Sequence, residues 1–144
     1  MKGFDDGDQS NFLIHLVGRN DPFITFMNIL STGTLEAKNA FGFQKEIYRK
    51  NSVCFSEIPP IHLQKLVLRR YNHGIAFKKD WLLNKGAQRV WYVEKDSRAH
   101  SAITSLSKSL DTEVQKQLSH LAPFIDISGE YGRKTYRFEW EREW

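Results

Sequence analysis

The sequence predicts a mixed α+β domain in which short strands form a split or half-barrel sheet with helices on the outside. Three observations predict it. Strand-like and helix-like segments follow one another in the order strand, helix, strand, helix, strands, helix, strand, which neither an all-α nor an all-β chain would show. The 144 residues fall within the roughly 100–200 expected of one domain. Hydrophobic residues make up 40% and charged ones 26%, and 10 Phe, 5 Tyr and 4 Trp supply side chains large enough to build a core in a small domain, so intrinsic disorder and fibrous repeats are excluded.

The elements follow in order. Residues 1–11 are acidic and polar with little to bury, and are expected to be a flexible lead-in to a single domain over 12–144. Phe12–Val17 is an apolar, branched run that reads as a buried strand, ended by Gly18-Arg19-Asn20-Asp21-Pro22. Phe23, Phe26, Met27 and Leu30 then recur at helical spacing; Asp21 is placed to cap this helix, Pro22 suits its first position and Gly33 its end. Leu35–Asn51 has no period and is expected to be a long surface loop. Ser52–Ser56 reads as a second strand stopped by Pro59-Pro60, and Ile61, Leu63, Leu66, Val67 and Tyr71 mark a helix.

Two further strands, Gly74–Phe77 and Arg89–Glu94, flank a helical turn at Trp81-Leu82-Leu83 that ends before Gly86. Ile103, Leu106, Leu110, Val114, Leu118 and Leu121 predict one continuous amphipathic helix of about five turns, with Leu110 and Val114 near its centre and Pro123 as its stop. Thr135–Trp144 alternates as a last strand. The sequence stops inside it, so truncation at the C-terminus is expected.

Charge and composition limit the function. The 21 Lys and Arg against 17 Asp and Glu leave a net charge of +4, which suits a phosphate-bearing ligand without requiring one, and no run of five like charges occurs. Cys54 is the only cysteine, which excludes a disulfide framework and a cysteine-based zinc site and fits a reducing compartment. The acidic N-terminus lacks the basic-then-apolar order of a signal peptide, and no apolar stretch approaches the roughly 18–20 residues that span a bilayer, so a cytoplasmic protein is expected. Dinucleotide, phosphate-loop, zinc-protease and nucleophile-elbow motifs are absent from the sequence. His15, His62, His73, His100 and His120 form no metal-spaced pair, so no metal site is expected.

His15 stands apart because it lies inside an apolar strand, where an imidazole must find a hydrogen-bond partner or a ligand. Arg19 follows it, Ser56 and Glu57 end the second strand, and Glu139, Glu141 and Glu143 crowd the last. Polar groups at strand ends are where sites on a sheet form. Their structural alternatives are a satisfied core histidine, a carboxylate at a helix start and a charged edge strand.

The phrases Ile14-His15-Leu16-Val17-Gly18-Arg19, Asn28-Ile29-Leu30-Ser31-Thr32-Gly33-Thr34-Leu35 and Ser52-Val53-Cys54-Phe55-Ser56-Glu57, followed by a helix to Tyr71, resemble the diphtheria-toxin and poly(ADP-ribose)-polymerase class of ADP-ribosyltransferase folds over Phe12 to about Phe77. The resemblance implies NAD as substrate, displaced through a positively charged ribose transition state that Glu143 would stabilise. It further implies that His15 would bond the adenine-side ribose and act with Glu143, that Arg19 would meet a phosphate, and that Phe55, Ser56 and Tyr71 would complete the cofactor-binding set. Cys54 departs from the pattern, because it stands where that class carries its stacking tyrosine.

A nearer resemblance, over about Phe12 to Val93, is to the AbiGi-type proteins of bacterial abortive-infection systems, described as antitoxins in phage resistance. It is carried by Val53-Cys54-Phe55-Ser56-Glu57-Ile58-Pro59, by Tyr71-Asn72-His73-Gly74-Ile75-Ala76-Phe77-Lys78-Lys79-Asp80-Trp81 and by Gly86 to Val93. It implies a phage-defence protein with a cognate toxin as partner. Three functions therefore stand open: a non-catalytic antitoxin or sensor on an ADP-ribosyltransferase-like fold, an NAD-dependent ADP-ribosyltransferase or NAD glycohydrolase, and a nucleic-acid-binding regulator using Lys65, Arg69, Arg70, Lys78 and Lys79.

Overall fold

The computed structural model of the chain describes residues 10–17, 21–37, 51–58, 73–128 and 144. The expected helix from Ile61 to Tyr71 and most of the lead-in, the 35–51 loop and the last strand lie outside them. The chain divides into two compact units, Met1–Glu36 with Cys54–Gln88 and Glu141–Trp144, and Ala37–Val53 with Arg89–Trp140. Both mix helix and strand, as the order of segments predicts.

In the first unit, β1 (Phe12–Leu16) follows from its branched apolar run. It pairs antiparallel with β2 (Gly74–Lys78) in the register Leu13↔Phe77, His15↔Ile75 and Leu16↔Gly74. Gly74 sits at the close end of this ladder: a Cβ there would stand 3.0 Å from the His15 carbonyl oxygen and 3.1 Å from Ile14 Cγ2. Alternation puts Leu13, His15 and Val17 on one face with Ile75 and Phe77, and Leu13 and Val17 are fully buried.

The other edge of β1 meets the segment expected as the second strand, but as a single antiparallel bridge rather than a ladder. Ile14 N–H donates to the Ser56 carbonyl at 2.9 Å, and Ser56 N–H donates back at 2.8 Å. Phe55 turns its own N–H and C=O the opposite way, to Trp144, at 3.0 and 2.9 Å. Residues 55 and 56 thus lie between β1 and Trp144.

Helix α1 (Pro22–Thr32) has proline in its first turn and ends on Gly33, whose φ of 62° is the left-handed conformation suited to a C-terminal cap. The expected cap by Asp21 is not made. Asp21 itself is left-handed, with φ 44°, and its side chain accepts no helix N–H. Helix α2 (Lys79–Asn84) follows β2 directly and buries Leu82.

In the second unit, β3 (Trp91–Glu94) pairs in parallel with β4 (Ile125–Ser128), Val93 opposite Ile127. A parallel pair needs a long crossover, here α3 (Arg98–Ser107), α4 (Thr112–Leu121) and a 3₁₀ turn (Ala122–Phe124). Val93, Ile103, Leu118, Ala122 and Ile125 form the core, with Ala99 and Ile127 packed against it.

The continuous helix expected over Ile103–Leu121 is two helices. Asp111 Oδ1 accepts from the N–H groups of Glu113 (2.8 Å) and Val114 (3.3 Å), which starts α4 afresh. Gln115 Nε2 donates to the carbonyls of Leu106, Ser107 and Ser109, closing the end of α3. Leu110 lies between them, 98% exposed, and not at the centre of a buried stripe. Among the described residues the sheets are these two-stranded pairs, with no closed barrel. No described helix is long and apolar enough to cross a membrane.

Candidate functional site

The candidate site lies where β1, the 54–58 segment and the start of α2 meet in the first unit. His15 is half-buried on the core-facing side of β1. Its Nδ1 lies 3.0 Å from the Cys54 carbonyl, and because a carbonyl only accepts, Nδ1 carries the proton in this contact. The partner that an imidazole inside an apolar strand needs is therefore backbone. The ring also meets Phe55 edge-on at 5.8 Å; Phe55 meets Phe77 at 5.7 Å and 87°, and Phe77 stacks on Trp81 at 5.9 Å and 16°. Three successive aromatic contacts thus run from His15 to the exposed face of Trp81, where Lys85 Nζ stands 5.8 Å from the ring centroid.

Next to this row is a buried charge cluster. Glu57 is 0% exposed; its Oε1 accepts from Lys79 Nζ at 2.5 Å and its Oε2 from the Trp144 indole N–H at 2.9 Å. Lys79 Nζ also lies 4.9 Å from the centroid of a Trp144 ring. One ammonium and one indole therefore satisfy a carboxylate that would be costly to bury alone. The sequence marks Glu57 as a polar group ending a strand. Its partners are 22 and 87 residues away, and no local pattern points to them.

The structure brings together His15, Phe55 and Ser56 among the sequence-predicted site residues: Phe55 touches the His15 ring, and buried Ser56 pairs through its backbone with Ile14. Arg19, Tyr71 and Glu143 lie outside the described residues. So do Lys65, Arg69 and Arg70 of the nucleic-acid reading, while Lys78 is exposed and Lys79 is engaged by Glu57. Elsewhere in this unit His73, whose Nδ1 is buried with no hydrogen-bond partner, is flanked by the rings of Phe23 and Phe26 at 6.0 and 5.5 Å. In the second unit, burial raises the Asp126 carboxyl above its usual value of 3.8, against the opposing effect of the Ile127 N–H that it accepts. Among the described residues no three His, Cys, Asp or Glu side chains are grouped to hold a metal ion.

Comparison with curated proteins and with solved structures found no match. A family model does match, over residues 27–144, and its description reads "Putative abortive phage resistance protein AbiGi, antitoxin". The match starts inside α1 and reaches Trp144, so it extends beyond the Phe12–Val93 stretch that carries the resemblance in sequence and takes in the second unit. It bears on the AbiGi resemblance and not on the ADP-ribosyltransferase one. With well over half of its length matched, the chain belongs to the AbiGi family of abortive phage resistance proteins, described as antitoxins.

Proposed function

We propose that this chain is a non-catalytic antitoxin that neutralises a cognate protein toxin by binding it. The observation that carries this reading is the family match over residues 27–144. At the candidate site the buried Glu57 carboxylate supports the non-catalytic part, because its two oxygens accept from Lys79 and from the Trp144 indole and are directed into the protein.

The test is co-expression in a bacterial host with each gene product that flanks this chain's own gene. Growth arrest by one of them, relieved by the wild-type chain and equally by His15→Ala and Glu143→Gln, is the expected result. Absence of relief by the soluble wild type overturns the antitoxin reading. Loss of relief in folded Glu143→Gln alone overturns only its non-catalytic part, since that change keeps shape and removes charge.

A second reading, an NAD-dependent transferase, is favoured by one observation: His15 on β1 stands beside the 54–56 segment, as that resemblance implies.

A further inference from the structure

Strand β2 leaves an open edge on the first unit's sheet. Val17 N–H donates to the His73 carbonyl at 3.0 Å and Lys79 N–H to the Asn11 carbonyl at 2.9 Å, which makes Leu13–Phe77 and His15–Ile75 the hydrogen-bonded pairs of the ladder between them. Alternation then turns the N–H and C=O of Gly74 and Ala76, and the N–H of Lys78, away from β1. The Lys78 carbonyl serves α2, of which Lys78 is the N-cap. All three residues are exposed, and among the described residues no group bonds to these outward donors and acceptors. The far side of β1 differs, because Ser56 pairs with Ile14 there.

We propose, resting on the antitoxin reading, that this edge is where the protein toxin adds an extended segment as a further strand, with a carboxylate placed beside Lys78. Backbone donors and acceptors repeating every two residues along an exposed edge are matched by another extended backbone, and not by a helix or a lipid surface. Charge then chooses among extended chains. The Lys78 ammonium stands exposed at the end of the strand with no ion pair among the described residues, whereas Lys79 next to it is held by Glu57. Strand β2, Gly-Ile-Ala-Phe-Lys, carries no acid, so a second copy laid against the edge brings another lysine and not the carboxylate that Lys78 lacks.

The side chains of β2 set the rest of the pattern. Ile75 and Phe77 are half-buried on the face shared with Leu13 and His15, so the added strand meets apolar neighbours there. Gly74 and Ala76 lie on the opposite face with Lys78, and their small size leaves room for a large side chain between the lysine and the start of the strand. The segment that fits is therefore extended and alternating, with apolar residues toward Ile75 and Phe77 and an acid near Lys78.

Amide hydrogen exchange of the full chain, alone and with the flanking gene product it neutralises, tests the proposal. Alone, the Ala76 and Lys78 amides should exchange at least about tenfold faster than those of Ile75 and Phe77, which face β1, and the toxin should slow them by a similar factor. Ala76→Pro removes one outward N–H, a change that an edge strand accepts, and should weaken toxin binding about tenfold. Lys78→Glu, at an exposed site, should weaken it about three- to tenfold, with the loss shrinking as salt rises. If Ala76→Pro does not fold, Lys78→Glu and the wild-type amides decide. Ala76 and Lys78 amides that are slow in the free chain, or that stay fast in the complex, overturn the proposal. So does slowing that follows the concentration of the chain alone, which would give the edge to a second copy. Relief of growth arrest by both folded variants at wild-type strength sinks this proposal and leaves the antitoxin reading standing, whereas a wild type that relieves no arrest sinks both.

Discussion

At the scale of single residues, the decisive group is Glu57. Lys79 and Trp144 each hold one oxygen of this fully buried carboxylate, and removing its charge leaves the Lys79 ammonium with a weaker partner in a largely buried place. Glu57→Gln should cost about 3–5 kcal/mol in urea unfolding, and adding Lys79→Met should restore part of that loss. Asp126 has the opposite character. Burial raises its carboxyl above the unfolded value, so the folded chain holds that proton more tightly and loses stability as pH rises through and beyond the ordinary aspartate range. Asp126→Asn should therefore melt higher than the wild type at pH 7, with the difference fading once the pH falls below the unfolded value of 3.8. Scanning calorimetry at the two pH values checks the sign. A wild type that falls further behind Asp126→Asn as the solution is acidified would contradict it.

At the scale of elements, the break between α3 and α4 shows how a cap overrides a periodic pattern. The leucine spacing from Ile103 to Leu121 fits one helix. Asp111, followed two and three residues later by N–H groups it can accept, offers the chain a start signal in the middle of it, and Gln115 covers the carbonyls left behind. Asp111→Ala should cost about 1 kcal/mol through the lost cap. Leu110→Ala should cost under about 0.5 kcal/mol because that side chain is already in water, while Leu118→Ala, inside the second unit's core, should cost about 2–5 kcal/mol. Chemical denaturation of the three variants ranks them, and a Leu110 loss equal to that of Leu118 would restore the single-helix picture. Strand β4 is the element that sequence reasoning missed: Ile125-Asp126-Ile127-Ser128 alternates in polarity, but at four residues the signal is short and directly follows Pro123.

At the scale of the whole molecule, the non-catalytic antitoxin reading predicts that NAD leaves the protein's melting point unchanged. A ligand at a hundred times its dissociation constant would add about 2.7 kcal/mol to folding, a shift of several degrees that thermal denaturation with about 1 mM NAD would not miss. Such a shift, abolished by His15→Ala, would favour the transferase reading instead.

The sequence by itself determined the mixed α+β class, the positions of β1, α1, β2, α2 and β3, the exclusion of disulfide and cysteine–zinc chemistry, and the AbiGi resemblance that the family match bears out. These depend on apolar periodicity, on Pro and Gly punctuation and on composition, all of which are local or additive along the chain. Only the tertiary structure decided that His15 finds its partner in a backbone carbonyl, that Lys79 and Trp144 bond Glu57, and that Phe23, Ile24, Met27 and Leu30 of α1 stay exposed while Phe26 turns to His73. Each of these joins groups far apart in sequence or turns on which side of an amphipathic element finds a neighbour. Periodicity fixes which residues share a face, and packing alone settles what that face meets.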